Sequence, residues 1–358
     1  MKKTLLLAIM GLVSLSSVAE IKVELKGFTN DSVRVQTTDV GSKKLIAPDT
    51  VIVAKKGKLV IADVKENACV RVGPKELPRN VRPAFLYIAP GEKFKVTFTK
   101  AGENIDVKVE GSEMQTMIDD LSNKQGALVA KINTMKEGTE RDSLINEFYN
   151  IPKQYVRENL DSPITLWAMQ RTDAEFAEEM LPKIGDKARN SMFGFIEKDL
   201  QDMIKAEKEL QAAKAQTAEG EMAPEFELPT PDGSMLKMSS LRGKWVLVDF
   251  WGSWCIWCIR GIPQLKENYE KYKDKMEVLS IACRDKKEKW LAAIEKHHLD
   301  WKHVISLENV PGTDKKVEAL FGVEGYPTKL LVNPEGRIVK RCVGEDPKFY
   351  DDFGELMK

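Results

Sequence analysis

The stretch WVLVDFW, residues 245–251, is apolar at six of its seven positions, and a strand of that composition suits a place where both faces are covered. A hairpin pattern, FELPTPDGSMLKM, precedes it. After it come a helix starting at the cysteine pair, the strand MEVLSIA, a helix around Lys286 to His298 and the strand KHVISL. A helix around Asp314 to Phe321 and the hairpin TKLLVNPEGRIVKRCV complete the series. Strands that alternate with helices predict an α/β domain with a central mixed sheet and helices on both faces. Asn333-Pro334-Glu335-Gly336 supplies the last hairpin turn.

That pattern occupies residues 221–358, and 358 residues exceed one ordinary core. Residues 20–111 are β-rich: segments such as IKVELKGF, SVRVQTTD and ACVRVG alternate with period two and break at Asn30-Asp31, Lys56-Gly57 and Pro90-Gly91. The pattern predicts an antiparallel all-β sandwich or open barrel, and it contains no cluster of acid, base and nucleophile, so it reads as a docking or structural module. Residues 112–220 turn to helical spacing, with Met114, Met117, Ile118 and Leu121, then Phe193, Ile196, Leu200, Met203 and Ile204, and read as a helical spacer. Asp161-Ser162-Pro163 is expected to start one helix and Asp173 to cap the next. A charged, Ala-rich run ending at Gly220 and Pro224 marks the boundary.

The N-terminus predicts export. Lys2 and Lys3 precede an apolar run from Leu5 to Leu15, and Ser17-Val18-Ala19 forms a small-x-small cleavage site, so residues 1–19 read as a signal peptide. The apolar run falls short of the ~20 residues of a spanning helix, no other stretch could cross a bilayer, and no cysteine stands at the boundary to carry a lipid. With 55 basic and 55 acidic residues and no long single-sign run, nucleic acid and anionic membrane surfaces are set aside as partners. A protein in an oxidising compartment with five cysteines keeps at least one unpaired within the chain, and only Cys255 and Cys258 stand close together.

Cys255 falls where the apolar strand ends and a helix begins. There the free backbone N–H groups and the helix dipole favour a thiolate, the species that attacks disulfides. Cys258, one turn later, can resolve the mixed disulfide. Asp249, inside the apolar strand, becomes a buried carboxylate with a raised pKa and a candidate base for the Cys258 proton. Pro263 is expected to kink the helix, and Tyr326-Pro327-Thr328 after Gly325 fits a cis-proline loop.

FWGSWCIWC, with Asp249, Pro263 and GYPT, resembles the thioredoxin superfamily, and the hairpins before and after resemble the exported TlpA-like thiol-disulfide oxidoreductases over residues 221–358. The resemblance implies a thioredoxin-like fold, preceded here by the β-rich module and spacer. It implies Cys255 as attacking thiol, Cys258 as resolving thiol and Asp249 as proton acceptor. Pro327 is expected in cis against the sulfurs, with the Tyr326 backbone pairing with an extended substrate peptide. Trp254 flanks the pair, and Trp257 with Ile256 offers an apolar platform to substrate. Such enzymes mostly act as reductants. The partners implied are envelope proteins bearing thiols or disulfides and a membrane electron donor, the location is the periplasm or cell envelope, and no dissociable cofactor is required. Two departures stand out. Gly261 occupies a position where many exported relatives carry glutamate, and Ile256-Trp257 replaces a proline-containing dipeptide, so their redox poise does not transfer.

Other readings weigh less. A zinc site needs two more ligands at suitable spacing, and His297, His298 and His303 do not supply a second C-x-x-C. A peroxiredoxin-like peroxidase would need a threonine and proline frame where Gly252-Ser253-Trp254 stands. An envelope binding module with a vestigial thioredoxin domain is opposed by the intact pair. Cys283 is placed near the active sheet edge, either as a small buried hydrophobe or as a thiol oxidised with the pair; Cys69 and Cys342 are bystanders.

Overall fold

The computed structural model describes residues 18–78 and 81–358, and it divides into two units, the first ending at Ile204 and the second running from Lys205. The signal-peptide reading lies outside the described residues except at its last two positions. Among the described residues no helix is long and apolar enough to cross a membrane.

The first unit opens with eight strands: β1 (Ala19–Lys26), β2 (Ser32–Asp39), β3 (Leu45–Val53), β4 (Lys58–Val64), β5 (Ala68–Pro74), β6 (Ala84–Ile88), β7 (Lys93–Ala101) and β8 (Asn104–Glu110). They form two four-stranded sheets ordered β4-β1-β7-β8 and β3-β2-β5-β6. The inward residues of each alternating strand, among them Ile21, Val23, Val33, Val70, Leu86 and Phe98, share one core, as period-two patterning requires. One expectation is corrected: β1 and β7 run parallel, Glu20 pairing with Lys93. Alternation reports which face is buried and carries no information about strand direction.

Six helices follow: α1 (Glu113–Ile132), α2 (Thr139–Glu158), α3 (Thr165–Met169), α4 (Ala174–Met180), α5 (Asp186–Arg189) and α6 (Ile196–Gln216). The methionine and leucine stripes gather with Trp167, Phe176 and Phe193 in a second core. Tyr87 of β6 packs edge-on against Phe193, and Gln115 of α1 accepts the Tyr87 N–H at 3.0 Å while donating to the Phe85 carbonyl. Asp173 caps α4, accepting from Phe176 N at 2.9 Å. Asp161 does something other than expected. The α3 helix starts behind Ile164 without a side-chain cap, and Asp161 Oδ1 instead accepts from Lys187 N and Ala188 N in the first turn of α5.

In the second unit a small hairpin, β9 (Glu227–Pro229) and β10 (Met235–Lys237), precedes five strands: β11 (Trp245–Trp251), β12 (Met276–Cys283), β13 (Lys302–Ser306), β14 (Thr328–Val332) and β15 (Ile338–Val343). Their order is β13-β12-β11-β14-β15, parallel from β13 to β11 and antiparallel from β11 to β15, the expected mixed sheet. Helices α7 (Ile256–Tyr272), α8 (Lys287–His297), α9 (Val317–Leu320) and α10 (Phe353–Leu356) accompany it. Strand β11 is buried on both faces. Val246, Val248 and Phe250 pack with Phe226 and Phe321 on one side, whereas Leu247 meets Leu265 and Phe353, and Trp251 meets Ile262 and Trp290, on the other. Period two therefore puts Asp249 on the face that α7 covers. This is the thioredoxin-like fold.

Candidate active site

Strand β11 hands the chain to α7 through Gly252-Ser253-Trp254, and Cys255 is the residue that caps the helix. Ser253 is pinned to Asp285, its N–H donating at 2.6 Å and its hydroxyl at 2.9 Å. The Trp254 indole folds back to donate to the Cys283 carbonyl at 3.1 Å, a path open because residue 252 is glycine: a Cβ there would lie 2.4 Å from Trp254 Nε1. Cys255 and Cys258 are joined by a disulfide with their Cα atoms 5.3 Å apart. Cys258 N–H points at Cys255 Sγ from 3.1 Å, the arrangement that stabilises a thiolate once the bond is opened. Pro263 lies within α7, which continues to Tyr272.

The two cysteines are 5% and 6% exposed, while Trp254, Ile256 and Trp257 around them are 51%, 59% and 58% exposed, so the pair sits low in an apolar surface. Trp254 meets Tyr326 edge-on at 5.3 Å, and the Tyr326–Pro327 peptide bond is cis. Tyr326 packs against the cluster that holds both cysteines. Trp257 is carried on α7 with the Arg260 guanidinium 4.8 Å above its ring.

Behind the pair, Asp249 lines a small cavity with Cys258, Gly261, Ser280, Trp301, Lys329 and Glu345, roomy enough for about one water molecule. Asp249 Oδ2 accepts from Ser280, whose hydroxyl accepts in turn from Trp301 Nε1 at 2.9 Å. Burial pushes the Asp249 carboxyl above its ordinary range; Lys329 and the Ser280 hydroxyl pull it back and Glu345 adds to the rise. A neighbour that the apolar context of β11 did not reveal is Lys329, directly opposite Asp249 across β14.

Lys329 and Glu345 escaped sequence reasoning. The signal for Lys329 was available: one lysine is the only charge in the strand TKLLV next to the cis proline. Glu345 has no local pattern, but the departure at Gly261 has its counterpart here, because a Cβ at 261 would lie 2.1 Å from Glu345 Oε1. Cys283 is fully buried, and burial holds its thiol well above the ordinary range; it touches the site through its carbonyl. Cys69 and Cys342 are half-buried and unpaired. Among the described residues no group of three His, Cys, Asp or Glu is placed to hold a metal ion.

The AhpC/TSA family model matches residues 220–341. The chain is 31% identical over 149 residues to the thiol-disulfide oxidoreductase ResA of Bacillus subtilis, covering 41% of this chain and 80% of that relative. It is 31% identical over 130 residues to the thioredoxin-like protein YneN of the same species, covering 35% of this chain and 72% of the relative. Among solved structures, the thioredoxin domain of a thiol-disulfide oxidoreductase from Bacteroides vulgatus aligns at 27% identity, 39% of this chain and 99% of its own, with a TM-score of 0.35.

Proposed function

Since the chain belongs, through the part that matches them, to the thioredoxin-like thiol-disulfide oxidoreductases of the ResA type, we propose that Cys255 and Cys258 are its redox pair and that it reduces protein disulfides in the cell envelope. The observation that carries this reading is the bonded pair at the start of α7, seated between an exposed apolar surface and a buried carboxylate.

In the reduced enzyme the Cys255 thiolate attacks one sulfur of a substrate disulfide; the new bond forms as the substrate bond breaks and its other sulfur leaves as a thiolate. Cys258 passes its proton to Asp249 and attacks Cys255 Sγ. This closes the Cys255–Cys258 bond and expels the remaining substrate sulfur, so two electrons reach the substrate. Trp254, Trp257 and Tyr326 offer an apolar seat, and the main chain at Tyr326, beside Pro327, pairs with an extended substrate segment. A membrane electron donor restores the dithiol, and the pair itself is the redox group, so no dissociable cofactor enters.

Insulin reduction tests the pair: wild type is expected to be active and Cys255→Ser to lose activity at least about a hundredfold. Full activity in that variant would end the reading. Direction is tested by equilibration with glutathione, where a pair less reducing than the glutathione couple counts against a reductant. Export rests on the first 19 residues: N-terminal sequencing of the envelope-located protein is expected to begin at Glu20. We further propose that residues 20–111 serve as a docking module and 112–220 as a spacer ahead of the catalytic domain at 221–358. Unchanged activity on a native partner after deletion of residues 20–217 would leave that region without a substrate role.

A further inference from the structure

Three charged side chains meet behind Cys258, and only one of them has a place in the exchange mechanism so far. Asp249 and Lys329 are register partners across β11 and β14, and Lys329 Nζ lies 2.5 Å from Glu345 Oε1. All three line the cavity that Cys258 and Gly261 also line. The Lys329 side chain is 3% exposed, a position a lysine keeps only with anionic partners around it. Glu345 reaches that ammonium through the space left by the missing side chain of Gly261, where a Cβ would fall 2.1 Å from its Oε1 and 2.5 Å from its Oε2.

We propose that Glu345 is a positioning residue for the exchange reaction: admitted by Gly261, it engages the Lys329 ammonium and so keeps Asp249 able to accept the Cys258 proton. This rests on the reading of Cys255 and Cys258 as the redox pair. One ammonium shared by two carboxylates leaves the cluster net negative, which favours a proton on Asp249 and on Cys258 alike. Without Glu345, Lys329 has Asp249 as its partner. The ion pair then holds Asp249 ionised and makes it a poorer base, while the Cys258 thiolate gains from the uncompensated positive charge. Other groups face the cluster from each neighbouring element: Ser280 of β12, Trp301 at the entry to β13, Cys342 of β15 and Tyr350 of the turn after it. Burial raises both the Cys342 thiol and the Tyr350 phenol, so neither adds charge near neutrality. Asp249, Lys329, Glu345 and Cys258 itself therefore set the field. In the step affected, the Cys258 proton moves to the Asp249 carboxylate, the Cys258 sulfur bonds to Cys255 Sγ, and the Cys255–substrate bond breaks with its electron pair leaving on the substrate sulfur.

The full-length reduced protein, mixed with the chromogenic disulfide dithiobisnitrobenzoate, releases one thionitrobenzoate as Cys255 is captured and a second as Cys258 resolves it; Cys258→Ser isolates the second phase by removing it. Stopped-flow rates of that phase against pH give a midpoint. Glu345→Gln and Gly261→Ala are expected to move the midpoint about one unit toward acid, and Lys329→Gln about one unit toward alkali. Gly261→Ala keeps all three charged residues but places a methyl where the Glu345 carboxylate sits, so it must agree with Glu345→Gln. Midpoints that stay put, or that move in the same direction for Glu345→Gln and Lys329→Gln, overturn the inference. Should Lys329→Gln not fold, an unmoved midpoint in the other two variants is enough to overturn it, and an acid shift in both upholds it. A wild type without any Cys258-dependent second phase fails the redox reading instead.

Discussion

Asp249 and Lys329 face each other across the β11–β14 pairing, both enclosed, so that a candidate base and a cation share the space behind Cys258. Burial is the largest influence on the Asp249 carboxyl and raises its pKa. A carboxyl raised by folding contributes stability below its unfolded pKa and loses it as pH rises through the folded value, so above that window burying Asp249 is a cost to the fold. Asp249→Asn is expected to raise the thermal midpoint of the C-terminal unit at pH 7 by roughly 2–4 °C. It should also slow resolution of the mixed disulfide about a hundredfold. Calorimetry and stopped-flow kinetics check the two arms, and resolution at wild-type speed would remove Asp249 from the mechanism.

The two tryptophans around the pair are held differently, and their variants should separate. Trp254 is bonded to the Cys283 carbonyl and meets Tyr326 edge-on, whereas Trp257 stands on the exposed face of α7 under Arg260. Trp257→Ala is expected to raise KM for a peptide disulfide several-fold with an unchanged thermal midpoint, and Trp254→Ala to lower the midpoint as well. Equal stability losses in both would deny Trp257 a substrate role. Trp257→Pro is tolerated in the first turn of a helix and is expected to shift the reduction potential; an unchanged potential would make the dipeptide mere packing.

His303 is buried beside Trp301, their rings 5.8 Å apart and nearly parallel, and burial holds its pKa down at about 4. The unfolded imidazole takes a proton at higher pH than the folded one. Stability is therefore whole above about 6.5 and declines as pH falls toward about 4, by at most ~3 kcal/mol. Urea titrations of wild type and His303→Gln across that window check this, the variant being expected to show the shallower decline. Parallel curves for the two proteins would contradict it.

Cys283 lies under the site with a thiol that burial makes hard to ionise. Mild oxidation followed by mass spectrometry of the native protein should find it free and unalkylated, with labelling only after unfolding. A Cys283 disulfide or sulfenate formed in the folded protein would bring it into the redox chemistry.

Legibility in the sequence followed the range of the forces involved. The apolar run at 245–251 predicted a doubly covered strand because hydrophobic burial is written residue by residue, and the helix-start position of Cys255 follows from the strand that precedes it. The pairing of Asp249 with its partners was hidden because Lys329 and Glu345 arrive from β14 and from beyond β15: the lone lysine in TKLLV marks an unusual position, but an ion pair formed across that distance leaves no pattern that names its partner. Asp161 misled for a related reason. A capping carboxylate looks the same whether it serves the next helix or α5, which starts at Asp186.

The parallel pairing of β1 with β7 bears on the order in which the chain can acquire structure. In a chain released from its N-terminus, β1 can meet its antiparallel partner β4 early, yet one side of it stays an open template until residues 93–101 have emerged. A contact of such sequence separation slows folding and cannot nucleate locally. The β4-β1-β7-β8 sheet thus cannot close until its seventh strand is available, so a chain truncated before residue 93 leaves β1 with one edge unpaired.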